Sequence, residues 1–172
     1  MKTVGIDERI IENRDEMEEV LRAAKIGRLG VNWNGQPVII PLNFAYDDEN
    51  IYLHGSNSGL KTEFLRNNPK VCFEVDEFFG TVPASMVCEY DTAYRSVVAY
   101  GTAEVLSIPE EKIHSLRLIV AKYAGEEAAR TLTPSMVEEY RSSRGRETVV
   151  VRIRIETMTG KRSIEKTQHD SK

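Results

Sequence analysis

The stretch Ile51-Tyr-Leu-His-Gly-Ser-Asn-Ser-Gly-Leu-Lys-Thr-Glu-Phe-Leu65 concentrates more chemistry than any other part of the chain. An apolar strand runs out into glycine and three small polar residues. Lys61 follows on what reads as the first turn of a helix. The hydroxyls of Ser56 and Ser58, the backbone N–H groups of the turn and the ammonium of Lys61 fall within one small volume. That set suits an anionic ester group, such as a nucleotide's phosphate tail. Two other readings fit the same residues. Gly55 to Thr62 approximates the GxxxxGK[ST] loop of nucleoside triphosphate hydrolases, but Leu60 stands where a second glycine lets such a loop wrap its phosphates. A plain polar turn, with Ser58 as N-cap and Lys61 solvated, needs no ligand.

The elements that must position these residues are legible from periodicity. Asn13 to Lys25 reads as a helix, with Asn13 as cap, Glu16 completing a capping box, and Met17, Val20, Leu21 and Ala24 on one face; Gly27 ends it. The period then changes to that of strands. Arg28 to Trp33 and Gln36 to Tyr46 flank Asn34-Gly35, a hairpin signal, and Ile51 to His54 follows a second turn. These three strands read as a meander. A short helix is expected over about Gly59 to Asn67, then a strand from Lys70 to Asp76, and a long loop from Glu77 to Ala93. A fifth strand runs from Ser96 to Leu106. Ser107-Ile-Pro-Glu110 reads as a capping box opening a helix with the stripe Ile113, Leu116, Val120 and Tyr123. Thr133-Pro134 opens a shorter helix carrying Val137 and Tyr140. Thr148 to Ile155 is the last strand, with Arg152 and Arg154 facing away from its apolar side. This order is not alternating βα, which argues against a parallel nucleotide-binding sheet. A mainly β fold with helices is expected: a six-stranded antiparallel barrel with helices at its ends and sides.

Bulk properties narrow the class. At 172 residues the chain is read as one domain spanning residues 1–172, with a core over about 13–162 and a polar tail. Hydrophobic residues make up 41% and charged residues 29%, and the net charge of −4 disfavours a nucleic-acid scaffold. No apolar run approaches a membrane span, and Met1 to Arg14 has no signal-peptide core, so a cytoplasmic protein is expected. Cys72 sits in an apolar run and reads as a small hydrophobe; no disulfide with Cys88 is expected. His54, His114 and His169 lack metal-ligand spacing, so no metal site is expected.

Several segments, in this order, carry a family likeness. They are Val38-Ile-Ile-Pro-Leu-Asn-Phe44, the His54 to Lys61 stretch, Asn68-Pro-Lys-Val-Cys-Phe73, Tyr94-Arg-Ser-Val-Val-Ala-Tyr-Gly101 and Met158-Thr-Gly-Lys161. Together they resemble the pyridoxamine 5′-phosphate oxidase-like flavoproteins, and within them the 5-nitroimidazole resistance (Nim-like) branch. The resemblance implies an FMN-binding split β-barrel acting as a homodimer, with two flavin sites across the subunit interface. It implies that Ile39 to Phe44, and within it Ile40, Pro41, Leu42 and Asn43, lies along the isoalloxazine ring. It places His54, Gly55 and Ser56 near the ribityl-phosphate end and Lys61 on the phosphate. Ser96, with Arg95 beside it, matches a polar contact made across the dimer.

The residues suit that assignment on their own chemistry. A dianionic phosphate needs cations, and Lys61 and Arg95 are candidates. A flat ring needs an apolar wall with a few fixed donors. Pro41 removes a ladder donor and is acceptable only at an edge or bulge. The chain also departs from the oxidases proper. It lacks basic residues on the strand matching Ile39 to Phe44, and lacks their C-terminal arginine segment, so oxidation of pyridoxamine phosphate is not expected.

Bland readings stand beside these. His54 is either a proton donor or substrate anchor at the flavin, or a strand-end histidine satisfied by backbone. Trp33 reads as core or interface packing, Phe78 and Phe79 as buried loop anchors or else as cover for a pocket or the dimer partner, and Tyr94 and Tyr100 as one face of a strand suited to interface packing. Asp76-Glu77 and Glu110-Glu111 read as solvated pairs. Lys161 and Arg162 are candidates to close over the site. The expected function is an FMN-dependent oxidoreductase passing electrons between a reduced donor and a small organic acceptor, nitro compounds among them. The alternative is a flavin-binding or sensing module without turnover.

Overall fold

A computed structural model describes residues 9–56, 68–139, 145 and 147–163. The expected helix over Gly59 to Asn67, with Ser58 and Lys61, lies outside these residues, as do Tyr140 and the tail beyond Ser163.

The strands are β1 (Ile10–Ile11), β2 (Gly27–Trp33), β3 (Gln36–Leu42), β4 (Phe44–Tyr46), β5 (Asn50–Ser56), β6 (Lys70–Val82), β7 (Asp91–Val105) and β8 (Thr148–Arg162). The helices are α1 (Arg14–Ala23), α2 (Pro109–Ala124), α3 (Glu126–Thr131) and α4 (Pro134–Glu139). The sheet is antiparallel throughout, in the order β3-β2-β6-β7-β8-β5-β4, with β1 added to β8. Among the described residues there are eight strands rather than six. The meander is also broken. β3 and β4 occupy opposite ends of the hydrogen-bonded order, yet only Asn43 separates them in the chain. The sheet is therefore rolled up, and its two edges meet covalently at Asn43, with no closing ladder among the described residues. This is a split antiparallel barrel.

Strand alternation explains the core. Leu29 and Val31 of β2, Ile51 and Leu53 of β5, Val71, Phe73 and Val75 of β6, Val97 and Ala99 of β7 and Val151 and Ile153 of β8 are all buried in one cluster. α1 closes one end by adding Met17, Val20, Leu21 and Ala24 to the same cluster. Asn13 caps it as expected: Oδ1 accepts from the backbone N–H of Asp15 (2.7 Å) and of Glu16 (3.4 Å). Glu16 does not complete the expected box; its carboxylate takes Arg162 instead, at 2.7 and 2.9 Å. Nor does Gly27 end the helix, because the cap is Ala24 and Gly27 already pairs with Leu42 and Val75 in the sheet. At α2 the N-cap is Ile108, with no side-chain cap bond, and Pro109 opens the helix. The Ser107 capping box is thus replaced by a proline start. Ile113 and Leu116 are buried as expected, joined by Ser115 and Ile119.

The largest departure is at Glu77 to Ala93. β6 runs on to Val82 and β7 begins at Asp91, with a register shift between Phe78 and Gly80. Gly80 and Pro83 read as loop signals, but Gly80 serves a bulge within a hairpin arm. Burial alternates along β6 only as far as Val75. Beyond it no core lies behind the strands, so the amphipathic pattern that marks a strand in sequence is absent.

A second shift separates Tyr100 from Gly101 where β7 meets β8. There the Arg154 carbonyl comes so close that a Cβ on residue 101 would lie 2.1 Å from its oxygen. Backbone is the obstacle, and no rotamer relieves it. Gly101→Ala is expected to cost about 1–3 kcal/mol or more, measured by urea unfolding. Wild-type stability in that variant would show that the two strands separate freely at the bulge.

Candidate functional site

The edge strand comes first. Asn34 (φ 50°) and Gly35 (φ 86°) form the tight turn their sequence indicated, with Gly35 N–H also bonded to Asn32 Oδ1 at 2.9 Å. A two-residue turn makes Trp33 and Gln36 a hydrogen-bonded pair, and alternation along the ladder then leaves the pairs Asn32–Pro37 and Arg28–Pro41 unbonded. Both prolines thus turn their nitrogens to the open edge of β3, where a missing N–H costs the sheet nothing. Val38, Ile40 and Leu42 pack on the core, while Ile39 stands 69% exposed. The edge presents main-chain acceptors beside an apolar wall, and prolines that discourage another strand from adding there.

β5 is covered on both faces. Ile51 and Leu53 point into the barrel, and Tyr52 is buried beneath α2, its hydroxyl donating to Asp47 Oδ2 at 2.6 Å. His54 shares the Tyr52 side and is exposed; Gly55 and Ser56 are half-buried. Phe44 pairs with Leu53, so Asn43 and His54 are the next residues out from the last paired rung. The end of β3 and the end of β5 therefore converge.

Arg95 and Ser96 do not join them. Gly55 stands opposite Val149 on β8, and Ser96 stands opposite Lys161 on the same strand. Twelve residues separate those two positions of β8, on the order of 40 Å of strand. At its own end, Arg95 is already matched by acids: Nη2 donates to Glu77 Oε2 at 2.9 Å, and Nη1 lies 3.6 Å from Glu19. Its guanidinium carbon lies 5.5 Å from the Phe79 ring centroid, and its buried Nε has no hydrogen-bond partner among the described residues. Glu77 is thus more than a solvated charge. Phe78 and Phe79, expected as buried anchors, are 67% and 52% exposed on the arm.

Two features escaped the sequence. One is the clamp at the barrel seam. The Tyr123 hydroxyl accepts from Phe44 N–H (3.0 Å) and donates to the Lys25 carbonyl (2.7 Å), satisfying an edge donor that the sheet leaves open. Beside it Lys122 Nζ lies 3.6 Å from the Phe44 ring centroid and donates to the Leu21 carbonyl in the last turn of α1 (3.2 Å). Burial, with a smaller contribution from Lys25, pulls the Lys122 pKa down from 10.5 to about 8. Between those two values the unfolded chain holds a proton that the folded chain has released, so stability is expected to rise with pH. Burial pushes Tyr46 up to about 12, which reverses the trend once unfolded tyrosines ionise near pH 10. Urea midpoints taken from about pH 8 to about pH 10 should climb in the wild type and not in Lys122→Met. Equal slopes in the two proteins would refute it.

The other feature is a cleft of about 320 Å³ between the sheet and the outer helices. His54 and Thr148 lie on its strand side, and Leu116, Ile119 and Val137 are among its helical walls. In sequence Leu116 and Val137 read simply as apolar positions of their helices, and Ile119 carried no reading. Among the described residues no cluster of three or more His, Cys, Asp or Glu could hold a metal ion, and no helix is long and apolar enough to cross a membrane.

The family model described as pyridoxamine 5′-phosphate oxidase matches residues 13–162. The chain belongs to this family. Solved structures of the same architecture agree with the pyridoxamine 5′-phosphate oxidase-like assignment. A candidate 5-nitroimidazole antibiotic resistance protein from Bacteroides thetaiotaomicron is 26% identical, with a TM-score of 0.68 over 88% of this chain and 85% of its own. A FAD-binding protein from Mesorhizobium loti is 28% identical, with a TM-score of 0.58 over 91% of this chain and 98% of its own. A FAD- and haem-binding protein from Mycobacterium smegmatis reaches a TM-score of 0.78 at 21% identity, over 91% of this chain and 74% of its own, and speaks for the fold alone.

Proposed function

We propose that the protein is an FMN-dependent oxidoreductase that works as a homodimer, each flavin held between two chains. The separation along β8 carries this reading. The residues suited to the ring and phosphate, Ile40 to Asn43 and His54 to Ser56, sit at one end. Arg95 and Ser96, suited to the same ligand, sit at the other. One chain cannot close both sets on one small molecule, whereas a two-fold pair of chains completes two sites at once. Exposed apolar side chains support a partner: Ile39 on the edge strand, and Phe78, Phe79, Met86 and Val87 on the arm.

The residues present fit a flavin. The open edge of β3 offers main-chain groups to a ring edge, with Ile39 and Pro41 as wall. The β5 end leads directly into the hydroxyl- and lysine-bearing stretch that suits the phosphate. Bound flavin would supply two-electron redox chemistry; the chain supplies orientation and shields the ring from water. A reducible organic molecule, such as a nitroaromatic, is the acceptor in this reading, and His54 is the side chain placed to anchor it or give a proton. The absorbance spectrum of the purified protein, and oxidation of reduced nicotinamide with a nitroaromatic acceptor, test it. A colourless protein that takes up no FMN would sink the cofactor. A yellow protein no faster than free FMN would leave a binding module. FAD in place of FMN is the second reading, favoured by the 28% identical FAD-binding structure.

Complementation tests the shared site. Lys61→Ala damages one half and Ser96→Glu the other. A mixed dimer isolated with two affinity tags holds one intact site and one doubly damaged site. It is expected to bind one FMN per dimer with wild-type affinity, while each single variant binds weakly at both sites. If the mixed dimer is no better than the single variants, both halves do not serve one ligand.

A further inference from the structure

We propose that the cleft under α2 and α4 binds a flat aromatic heterocycle, whose polar edge meets His54 and Thr148. The inference rests on the flavin reading only for the source of that heterocycle.

The floor of the cleft is the outer face of two paired strands. Thr148 stands opposite Ser56, and His54 opposite Val150. The roof is one face of α2, where Leu116, Ile119 and Val120 follow helical spacing, closed laterally by Leu132 and the α4 residues Met136 and Val137. Among the described residues, none of these lining side chains carries a fixed charge, and the two polar ones both lie on the strands. A phosphate would meet no fixed charge on these walls, and a free sugar would find only one imidazole and one hydroxyl for its many polar groups. A planar π system loses little, and aliphatic walls with a polarizable thioether suit its faces. An imidazole and a hydroxyl on one side select an edge carrying both donors and acceptors. The volume of about 320 Å³ falls at the lower end of the roughly 300–1,000 Å³ typical of small-molecule sites. It accommodates one fused ring system and not a whole dinucleotide.

Thr148 on the cleft floor pairs with Ser56, where the proposed ester phosphate docks. Two sources of the ring follow: the adenine of a dinucleotide flavin, reaching back from the phosphate, or a free heterocyclic acceptor. Both share one recognition chemistry, and the test separates them.

Val137→Trp fills the cleft from α4, on the outer layer. FMN, FAD and benzimidazole are titrated calorimetrically against wild type and variant, with thermal melts confirming that the variant folds. If adenine occupies the cleft, FAD binding weakens at least tenfold in the variant while FMN binding stays constant. If a free heterocycle does, benzimidazole binding falls at least tenfold and the FAD-to-FMN ratio holds. Unchanged benzimidazole and flavin affinities overturn the proposal. Should Val137→Trp fail to fold, Thr148→Val removes the hydroxyl at nearly constant volume. It is expected to weaken the same ligand several-fold, and an unchanged affinity overturns the proposal equally. A wild type that binds neither flavin yet takes benzimidazole would end the flavin reading and leave the cleft assignment standing.

Discussion

A Lys61→Ala chain is expected to bind FMN ten- to a hundredfold more weakly than the wild type. A charge-assisted bond to a phosphate is worth about 1.5–3 kcal/mol, and each tenfold in affinity corresponds to about 1.4 kcal/mol. In the proposed site Lys61 bears most of the phosphate's charge, because Arg95, which enters from the other half of the shared site, is already matched by acids. Arg95 faces Glu77 and Glu19 and sits at the far end of β8. Lys61 follows Ser56, the last residue of β5, by five residues in the sequence. Lys61→Arg should restore part of the loss, since charge is kept while the donor geometry changes. Ser96→Ala, which removes a neutral hydroxyl, should cost less. Fluorescence titration of the apoprotein with FMN reads all three. If Lys61→Ala takes up FMN like the wild type, the phosphate lies elsewhere.

The largest loss of stability is expected from Phe73→Ala, about 3–5 kcal/mol. Phe73 is fully buried and meets Phe44 edge-to-face, ring centroids 5.0 Å apart. Its ring fills the notch at Gly27, where an added Cβ would lie 1.9 Å from the ring's tip. Phe44 is also the first residue of β4 beyond the Asn43 seam, the residue gripped by Lys122 and Tyr123. Removing Phe73 therefore opens a void behind the Asn43 seam, where no ladder among the described residues joins the two edges. Gly27→Ala should destabilise the wild type by forcing that ring aside. In the Phe73→Ala background the same change should cost far less, and urea unfolding of the double-mutant cycle measures the difference. Additive losses would mean that Gly27 and Phe73 do not share the space.

The loss in Phe73→Ala bears on function through the same seam. Asn43 and His54 come together only because β4 is held against β5 while β3 crosses to the other edge. A barrel that opens there would spread the end of β3 away from the end of β5, and with them the two parts of the proposed site. Lys61→Ala should lower flavin affinity without changing urea stability of the apoprotein. Phe73→Ala should lower both.

Much of this was readable before any coordinates. The Asn34-Gly35 turn, the Asn13 cap and the apolar face of α1 are decided within a few residues, and all three are as expected. Pro41 was acceptable only at an edge or bulge, and it stands on an edge strand. The arm was misread because exposure on both faces erases the two-residue period from Glu77 onward. Glu16 and Ser107 were misassigned because a capping box competes with longer-range partners: Arg162 takes the first, and Pro109 makes the second unnecessary.

Local chemistry by itself determined the strand and turn vocabulary, the helix faces and the polar run from His54 to Lys61, because each depends on neighbours within one or two turns of chain. Only the tertiary structure decided that Leu42 and Phe44 lie on opposite edges, that Tyr123 ties Phe44 to the Lys25 carbonyl just ahead of β2, and that Ser56 and Ser96 are separated by most of β8. Those facts depend on strand register across long sequence separations. Many pairings satisfy the same alternation of side chains, and the choice among them falls to how the whole core packs.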